Sequence, residues 1–319
     1  MELESCRFFS EVKMKHNTKF IQDFMARYEY SEESVSLFTK VLDDLDNDKA
    51  FGCAFDMLKE EFDRHRCEIG GALCDKLSEL AKSKGYSEYT LHFVFLLCLT
   101  EDLKNQYGLH NIDPKIYYRT MDDLRCKLNE CLECEEVPGT FVAGWFSGFF
   151  RMDRVGYGRF QYEVNTFDRD KPFTMSCGHI INPGDIYINF HIPNSGIPLT
   201  DEIRYASYKE AYDHVKGLFP DGKVIFGVSS WLLFPKQNEF LPKEMNILKF
   251  LNDFEIVDWA ESDRFGDGWR VFGKDSDLPV EQLPEKTKLQ KAYKSWILSG
   301  NKTGHGFGLF LFDGEKIVK

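Results

Sequence analysis

Apolar side chains recur every three or four residues through the first part of the chain, and this spacing predicts amphipathic helices. One predicted helix runs from Ser87 to about Gly108 and has an apolar face at Leu91, Phe95, Leu99 and Leu103. Another begins at Asp113, a helix-capping residue that is followed by proline at the first helical position. Helical patterns of this kind continue to about residue 136, so we predict an all-helical N-terminal domain over residues 1–136.

The pattern changes after Val137-Pro138-Gly139, where short runs rich in β-branched and aromatic residues begin to alternate with helices. The predicted strands are residues 159–164, 186–192, 224–229, 255–259, 269–272 and 308–312. Predicted helices lie between them, at about residues 200–219, 243–252 and 287–298. Strands interleaved with helices predict a mixed β-sheet flanked by helices. We therefore predict an α+β protein in which the helical domain packs on a sheet domain formed by residues 137–319.

Two glycine-rich segments interrupt the second part, Gly156-Tyr-Gly-Arg159 and Gly304-His-Gly-Phe-Gly308. Glycine permits both tight turns and the close approach of a ligand to the backbone. We predict that both segments are hairpin turns.

Composition and charge indicate which classes of binding partner to expect. The 319 residues include 40 Lys and Arg against 52 Asp and Glu, for a formal charge of -12. Because no basic run is present, a nucleic-acid partner is not expected, and the acidic surface suits small-molecule or basic partners. The longest apolar run, Leu91 to Leu99, is too short for a membrane span. Residues 1–19 are charged throughout, so no signal peptide is expected.

The nine cysteines are odd in number and scattered through predicted helices. This pattern is typical of reduced thiols in the cytoplasm. Cys131 and Cys134 have the spacing of a zinc-binding pair, with Cys126 or the Cys177-Gly-His179 segment as further ligands. A structural zinc site usually contains a second pair at matching spacing, and this sequence has none. We predict two thiols at the end of a helix and no metal.

The segment from Asp185 to Pro235 contains the strongest candidate chemistry, because it predicts a strand, a short loop, a helix and a second strand. A loop that enters a helix can bind phosphate through backbone N–H groups, although the same loop is also needed to turn the chain. His191 lies near the end of the first strand, where an imidazole can act as a general base or serve only the structure. Ser229 and Ser230 close the second strand without a Gly-x-Ser-x-Gly elbow, so we expect them to line a cleft.

Several motifs follow one another along the chain in a specific order: Trp145-Phe-Ser-Gly-Phe-Phe150, Gly158-Arg-Phe-Gln-Tyr-Glu163, Asn189-Phe-His-Ile-Pro193, Ser230-Trp-Leu-Leu-Phe-Pro235, Asn246-Ile247 and Leu283-Pro284 with Leu289-Gln290. Together they resemble a bacterial family of acyltransferase-domain proteins, which have a helical N-acyltransferase N-terminal part and a GNAT-like C-terminal part. The resemblance covers about residues 65–319.

The resemblance implies an acyl-CoA co-substrate, either acetyl-CoA or a longer acyl-CoA, and a small-molecule amine as acceptor. A GNAT sheet holds acyl-CoA where two central parallel strands part. By this resemblance the pantetheine would pair with the strand that ends at Ile192, and the pyrophosphate would bind at Asn194, Ser195 and Gly196. We expect His191 to be the base, Tyr187 to protonate the leaving thiolate, and Ser229 and Ser230 to line the cleft.

The sequence departs from the family pattern at the second strand. The family has a histidine where this chain has Ser229, and a serine where it has Met245. The glycine-rich phosphate loop of GNAT proteins is also missing, and Asp201 and Glu202 open the following helix, where their charge would repel a phosphate. These departures favour an alternative, a non-catalytic ligand-binding or scaffold protein on a degenerate GNAT-like fold.

Overall fold

The computed structural model describes residues 16–65 and 67–319. Residues 1–15, on which most of the signal-peptide prediction depends, lie outside the described residues, as does Arg66. The chain divides into two compact units, Met1–Asp153 and Arg154–Lys319. The predicted boundary between residues 136 and 137 falls inside the first unit.

The first unit is helical, as predicted. Its α-helices are α1 (Thr18–Arg27), α2 (Glu32–Asn47), α3 (Lys49–Arg64), α4 (Gly71–Ser83), α5 (Glu88–Leu109), α6 (Pro114–Glu135) and α7 (Ser147–Phe150). The polar residue before a helix often caps it: the Asp113 side chain accepts a hydrogen bond from the backbone N–H of Lys115, as its position before Pro114 predicts.

The core of the first unit surrounds α5, which is buried on every side from Thr90 to Thr100. A helix that is apolar all round belongs in the centre of a bundle rather than on its surface. Aromatic rings of the neighbouring helices pack against it. The ring of Phe38 stacks on Phe93 at 4.9 Å, and Phe55 meets Phe95 edge-on at 5.6 Å. No helix in the described residues is both long and apolar enough to span a bilayer.

The second unit contains the strands and the remaining α-helices. The strands are β1 (Val155–Tyr157), β2 (Phe160–Thr166), β3 (Phe173–Thr174), β4 (Ile180–Ile181), β5 (Ile186–His191), β6 (Val224–Ser230), β7 (Glu255–Ser262), β8 (Thr303–Phe312) and β9 (Ile317–Val318). The helices are α8 (Asp201–Val215), α9 (Gln237–Phe240), α10 (Asn246–Leu251), α11 (Trp269–Phe272) and α12 (Lys288–Leu298).

The main sheet has the strand order β1-β2-β5-β6-β8-β7, with β9 paired to β8. Every pairing is antiparallel except that of β5 with β6, which are parallel and joined by α8. A parallel pair needs a crossover connection, and α8 supplies it. The predicted mixed sheet flanked by helices is therefore confirmed.

Helix α8 is fixed to the sheet by Tyr208 and Ser207. The buried Tyr208 ring lies 4.8 Å from the ring of Phe310. The Ser207 hydroxyl accepts hydrogen bonds from the backbone N–H groups of Arg159 and Phe160 and donates one to the carbonyl of Tyr157. The β1–β2 turn therefore lies directly on the helix, and the turn predicted at Gly156–Arg159 is confirmed.

Two local predictions are wrong. Residues 269–272 form helix α11 and not a strand. A segment of four residues is too short for its pattern to distinguish a strand from a helix. Gly304–Gly308 lies inside β8 and is not a turn. A Cβ at Gly306 would lie 2.3 Å from the carbonyl oxygen of Leu233, so this glycine allows the segment after β6 to pack directly on β8.

The cysteines lie mostly on helices, as predicted. Cys67, Cys74, Cys98, Cys126, Cys131 and Cys177 are thiols, and Cys6 lies outside the described residues. Burial raises the pKa of the Cys98 thiol to about 12. No group of three or more His, Cys, Asp or Glu side chains among the described residues could hold a metal ion.

Candidate active site

The two parallel strands of the second unit part from each other near their C-terminal ends. Their pairing consists of Ile188 with Phe226 and Asn189 with Gly227. Beyond these pairs, β5 continues to His191 beside β2, and β6 continues to Ser230 beside β8. A gap therefore opens in the middle of the sheet, with a backbone edge on each side that the opposite strand does not bridge.

At this gap one face of the sheet carries polar side chains and the other carries buried aromatic rings. Successive side chains of a strand point to opposite faces, so the register assigns one polar row to a single face: Gln161, Glu163, Asn165, Tyr187, Asn189 and His191. Phe190 and Phe226 belong to the other face, where both are fully buried against Phe310. The aromatic rings therefore fill the core under α8 and leave the polar row on the opposite face.

His191 is held by a carboxylate from the neighbouring strand. Its Nε2 atom lies 2.7 Å from Oε1 of Glu163, and the two side chains are 23% and 18% exposed. The Asn189 amide also donates to Oε1 at 3.1 Å. The guanidinium of Arg154 binds the second oxygen, through Nε at 3.0 Å and Nη2 at 2.8 Å. The imidazole is thus oriented by a carboxylate that is itself held from the other side.

These contacts decide the charge of Glu163. Burial by itself would raise the pKa of this carboxyl, but the hydrogen bond and charge of His191, followed by the charge of Arg154, outweigh burial and lower the pKa to about 2. The carboxylate is ionised at neutral pH and accepts hydrogen bonds from all its neighbours. A partly exposed imidazole with an ionised carboxylate behind it has the arrangement of a general base with its orienting group.

Tyr187 lies below the gap, on the same face as His191. Gly227 makes room for its ring, since a Cβ at Gly227 would lie 2.8 Å from Cδ2 of Tyr187. Burial, and next the charge of Asp168, raise the pKa of the Tyr187 hydroxyl. The phenol is therefore protonated at neutral pH, as a proton donor must be.

Ser229 and Ser230 stand on the opposite side of the gap and differ in their surroundings. Ser229 is exposed, and the register of Gly227 with Asn189 assigns it to the same face as His191. The Ser230 hydroxyl accepts a hydrogen bond from the backbone N–H of Leu232 at 3.1 Å and caps the turn that follows β6. Trp231 turns away and packs against Phe265 and Tyr293.

The segment predicted to bind pyrophosphate precedes the helix by several residues. Helix α8 begins at Asp201 with Thr200 as its N-cap, whereas Asn194, Ser195 and Gly196 lie earlier in the connection that follows Ile192. The backbone N–H of Ser195 donates to the carbonyl of Pro193. Gly196 has a φ of 78°, so the chain turns there in a conformation that suits glycine.

The acidic first turn of α8 is partly neutralised. The Asp201 carboxylate lies 3.1 Å from Nη1 of Arg204, a guanidinium that is almost completely buried. Arg204 also bonds both carboxylate oxygens of Asp253, at 2.7 and 3.2 Å. One guanidinium is thus shared by two carboxylates, so it offsets only part of the negative charge in this region.

Sequence reasoning identified His191, Tyr187 and the serines but did not assign roles to Glu163 and Arg154. Glu163 ends one of the family motifs, and the alternation of β2 places it on the face of its cross-strand neighbour Asn189. Arg159 was also missed, and its Nε donates to the carbonyl of Ile197 in the connection before α8 at 3.0 Å. The sequence alone does not give the pairing of β2 with β5, and this pairing brings Glu163 next to His191.

Comparisons with known proteins agree with this architecture. Residues 19–152 match the model of an N-acyltransferase N-terminal domain, and residues 155–310 match that of a GNAT-like C-terminal domain. None of the curated proteins compared with the sequence matches it.

Several solved structures share the fold with low sequence identity. An acyltransferase in complex with decanoyl-CoA and teicoplanin has a TM-score of 0.71 and 19% identity, over 91% of this chain and 87% of that one. An acyltransferase mutant with octanoyl-CoA has a TM-score of 0.69 and 18% identity, over 94% and 88%. An acyltransferase in complex with decanoyl-CoA has a TM-score of 0.68 and 20% identity, over 90% and 86%. The predicted GNAT-like fold is therefore confirmed.

Proposed function

The chain belongs to the acyltransferase family that joins an N-acyltransferase N-terminal domain to a GNAT-like C-terminal domain, and from this premise we propose that it is an acyl-CoA-dependent N-acyltransferase. One observation carries the proposal: a histidine held by an ionised carboxylate stands where two parallel strands part. Catalysis by direct transfer requires a base at the point where acyl donor and amine meet.

In the proposed reaction the amine nitrogen attacks the thioester carbonyl while His191 removes its proton. A new C–N bond forms and the C–S bond breaks, giving an amide and the thiolate of CoA. The charge that develops on the carbonyl oxygen needs hydrogen-bond donors, and the backbone edges beside the gap offer N–H groups. Tyr187 is the candidate for the proton that the thiolate takes up. Ser229 lines the opposite side on the face of His191, and Ser230 lies next to it, where its hydroxyl caps the turn after β6.

The ligands of the structural relatives support a proposal for both substrates. Structural relatives were crystallised with octanoyl-CoA and decanoyl-CoA, and one of them also with teicoplanin. We therefore propose acetyl-CoA or a longer acyl-CoA as donor and a small-molecule amine as acceptor. The pantetheine would lie against the edge of β5 that ends at His191 and Ile192. The pyrophosphate would lie near Asn194 to Gly196.

The proposal is tested by binding and turnover together. Calorimetric titration with acetyl-CoA, octanoyl-CoA and decanoyl-CoA should detect binding of at least one of them. Release of CoA is then followed with a panel of primary amines that includes teicoplanin. His191→Gln should lower the rate about 100-fold or more, the usual scale for loss of a general base, with acyl-CoA affinity nearly unchanged. His305→Gln, a change at an exposed histidine of β8, is the matched control.

A rate for folded His191→Gln equal to that of the unmodified protein at about pH 8 would remove His191 from the mechanism. Binding of acyl-CoA without turnover for any amine would favour the alternative, a ligand-binding protein on a degenerate fold. The serine at position 229, where the family has a histidine, is the observation behind that alternative. An absence of heat with all three thioesters would refute the acyl-CoA claim itself.

A further inference from the structure

We infer that Arg154 and Glu163 together fix the tautomer of His191, with its hydrogen on Nε2, so that Nδ1 is the atom that takes the proton of the attacking amine. The tautomer follows from contacts in the second unit alone. Its catalytic consequence rests on the proposed function. Arg154 and Glu163 are positioning residues in this scheme, since they act through His191.

The two oxygens of Glu163 have separate donors. Oε1 lies 2.7 Å from Nε2 of His191 and 3.1 Å from the Asn189 amide nitrogen. That amide nitrogen also lies 3.1 Å from Nε2, but its hydrogen bond goes to the carboxylate oxygen, the stronger acceptor. Oε2 receives two bonds from Arg154, at 3.0 and 2.8 Å. An ionised carboxylate has no hydrogen to give, so it can only accept at each of these contacts. Nε2 must therefore carry the hydrogen, which leaves the lone pair of a neutral imidazole on Nδ1.

Arg154 determines which side of the position-163 side chain must accept hydrogen bonds. A guanidinium only donates hydrogen bonds, and two of them converge on one side of the position-163 side chain. If that side chain were an amide, its single oxygen would have to face Arg154. Its NH₂ group would then face His191 and donate to Nε2. Arg154 cannot become an acceptor, so the glutamine oxygen stays on its side.

The Glu163→Gln substitution should therefore reverse the tautomer, placing the hydrogen on Nδ1 and removing the base. Loss of the correct histidine tautomer in a serine protease costs about 10⁴ in turnover, which sets the scale of the effect. The double substitution Glu163→Gln with Arg154→Met should undo the reversal. Without the guanidinium, the glutamine oxygen is free to face His191 and Asn189.

The test is nuclear magnetic resonance of the resting protein, without substrates. Ring ¹⁵N and ¹³C shifts distinguish the two neutral tautomers at a pH high enough that the His191 signals no longer change on titration. The His191 signals are assigned by their loss in His191→Gln. We expect hydrogen on Nε2 in the unmodified protein, on Nδ1 in Glu163→Gln, and on Nε2 again in the double variant. Melting temperatures verify that each variant is folded, and Arg154→Leu, which also removes the hydrogen-bond donors, replaces Arg154→Met if the latter unfolds.

Two controls match the substitutions in chemistry. Glu281→Gln changes an exposed glutamate, and Arg264→Met breaks an ion pair with Asp277 that is more than 80% exposed on both sides. Neither should change the His191 tautomer.

Hydrogen on Nδ1 in the unmodified protein, or an unchanged tautomer in Glu163→Gln, would overturn the inference. If the proposed function is wrong but the tautomer inference is right, the tautomers will be as expected and the protein will transfer no acyl group. A reversed tautomer in Glu163→Gln with undiminished turnover would show that Nδ1 is not the base.

Discussion

The Nε2 atom of His191 lies 2.7 Å from Oε1 of Glu163, although 28 residues separate the two in the chain. The pKa of this carboxyl is about 2 in the folded protein, below its ordinary value of 4.5. A carboxyl with a lowered pKa stabilises the folded state above its unfolded pKa, and that contribution is lost as the pH falls toward the folded value.

Glu163→Gln removes this contribution. The difference in unfolding free energy between the unmodified protein and the variant should shrink by about 1 kcal/mol between about pH 5.5 and pH 3.5. Urea unfolding at both pH values measures it. Glu281→Gln, an exposed site, should show a pH-independent difference near zero. A constant difference for Glu163→Gln would mean that the carboxyl titrates normally.

The buried ion pair of Arg204 with Asp253 should dominate the stability of α8. Arg204→Met leaves a carboxylate without its guanidinium in a buried position, which costs about 3–5 kcal/mol. Burial already raises the pKa of Asp253 even with Arg204 present. Urea unfolding of Arg204→Met should show this loss, whereas Arg264→Met should change stability by less than about 1 kcal/mol. A loss in Arg204→Met no larger than that of the control would contradict the prediction.

Gly306 should tolerate no side chain. An added Cβ would lie 2.3 Å from a backbone oxygen, that of Leu233, which cannot move aside like a flexible side chain. Gly306→Ala should therefore lower the unfolding free energy by about 1–3 kcal/mol. Gly217 has nothing within 4 Å of its added Cβ, so Gly217→Ala is the control and should be near neutral. Equal stabilities for the two variants would show that β8 can shift away from the segment after β6.

Loss of the Ser230 hydroxyl should destabilise the protein more than loss of the Ser229 hydroxyl. Ser230→Ala removes the cap of the turn after β6 and should cost about 1 kcal/mol. Ser229→Ala changes an exposed hydroxyl and should cost less than about 0.5 kcal/mol. Thermal unfolding of both variants makes the comparison. A larger loss for Ser229→Ala would mean that its hydroxyl has a structural role.

Local patterns were enough to predict most of the elements. The apolar positions from Leu91 to Leu103 predicted the helix α5, but the single apolar face expected there is wrong, because α5 is buried on every side from Thr90 to Thr100. The Asp113-Pro114 pair predicted the start of α6. Apolar runs predicted β5 and β6 with a helix between them. These predictions succeed because periodicity and capping depend on residues a few positions apart. The run Trp269–Phe272 was too short to show a period, and its prediction as a strand was wrong.

The candidate site depended on partners that are distant in sequence. His191 was recognisable in the sequence as a histidine at the end of a strand. Its carboxylate partner comes from β2, which the β3–β4 hairpin separates from β5 along the chain. The sequence determined that Glu163 and His191 each lie on a strand. Only the antiparallel register of β2 with β5 decided that they share one face within hydrogen-bond distance, because strand register is set by pairing between segments and by burial of one face, and not by local sequence.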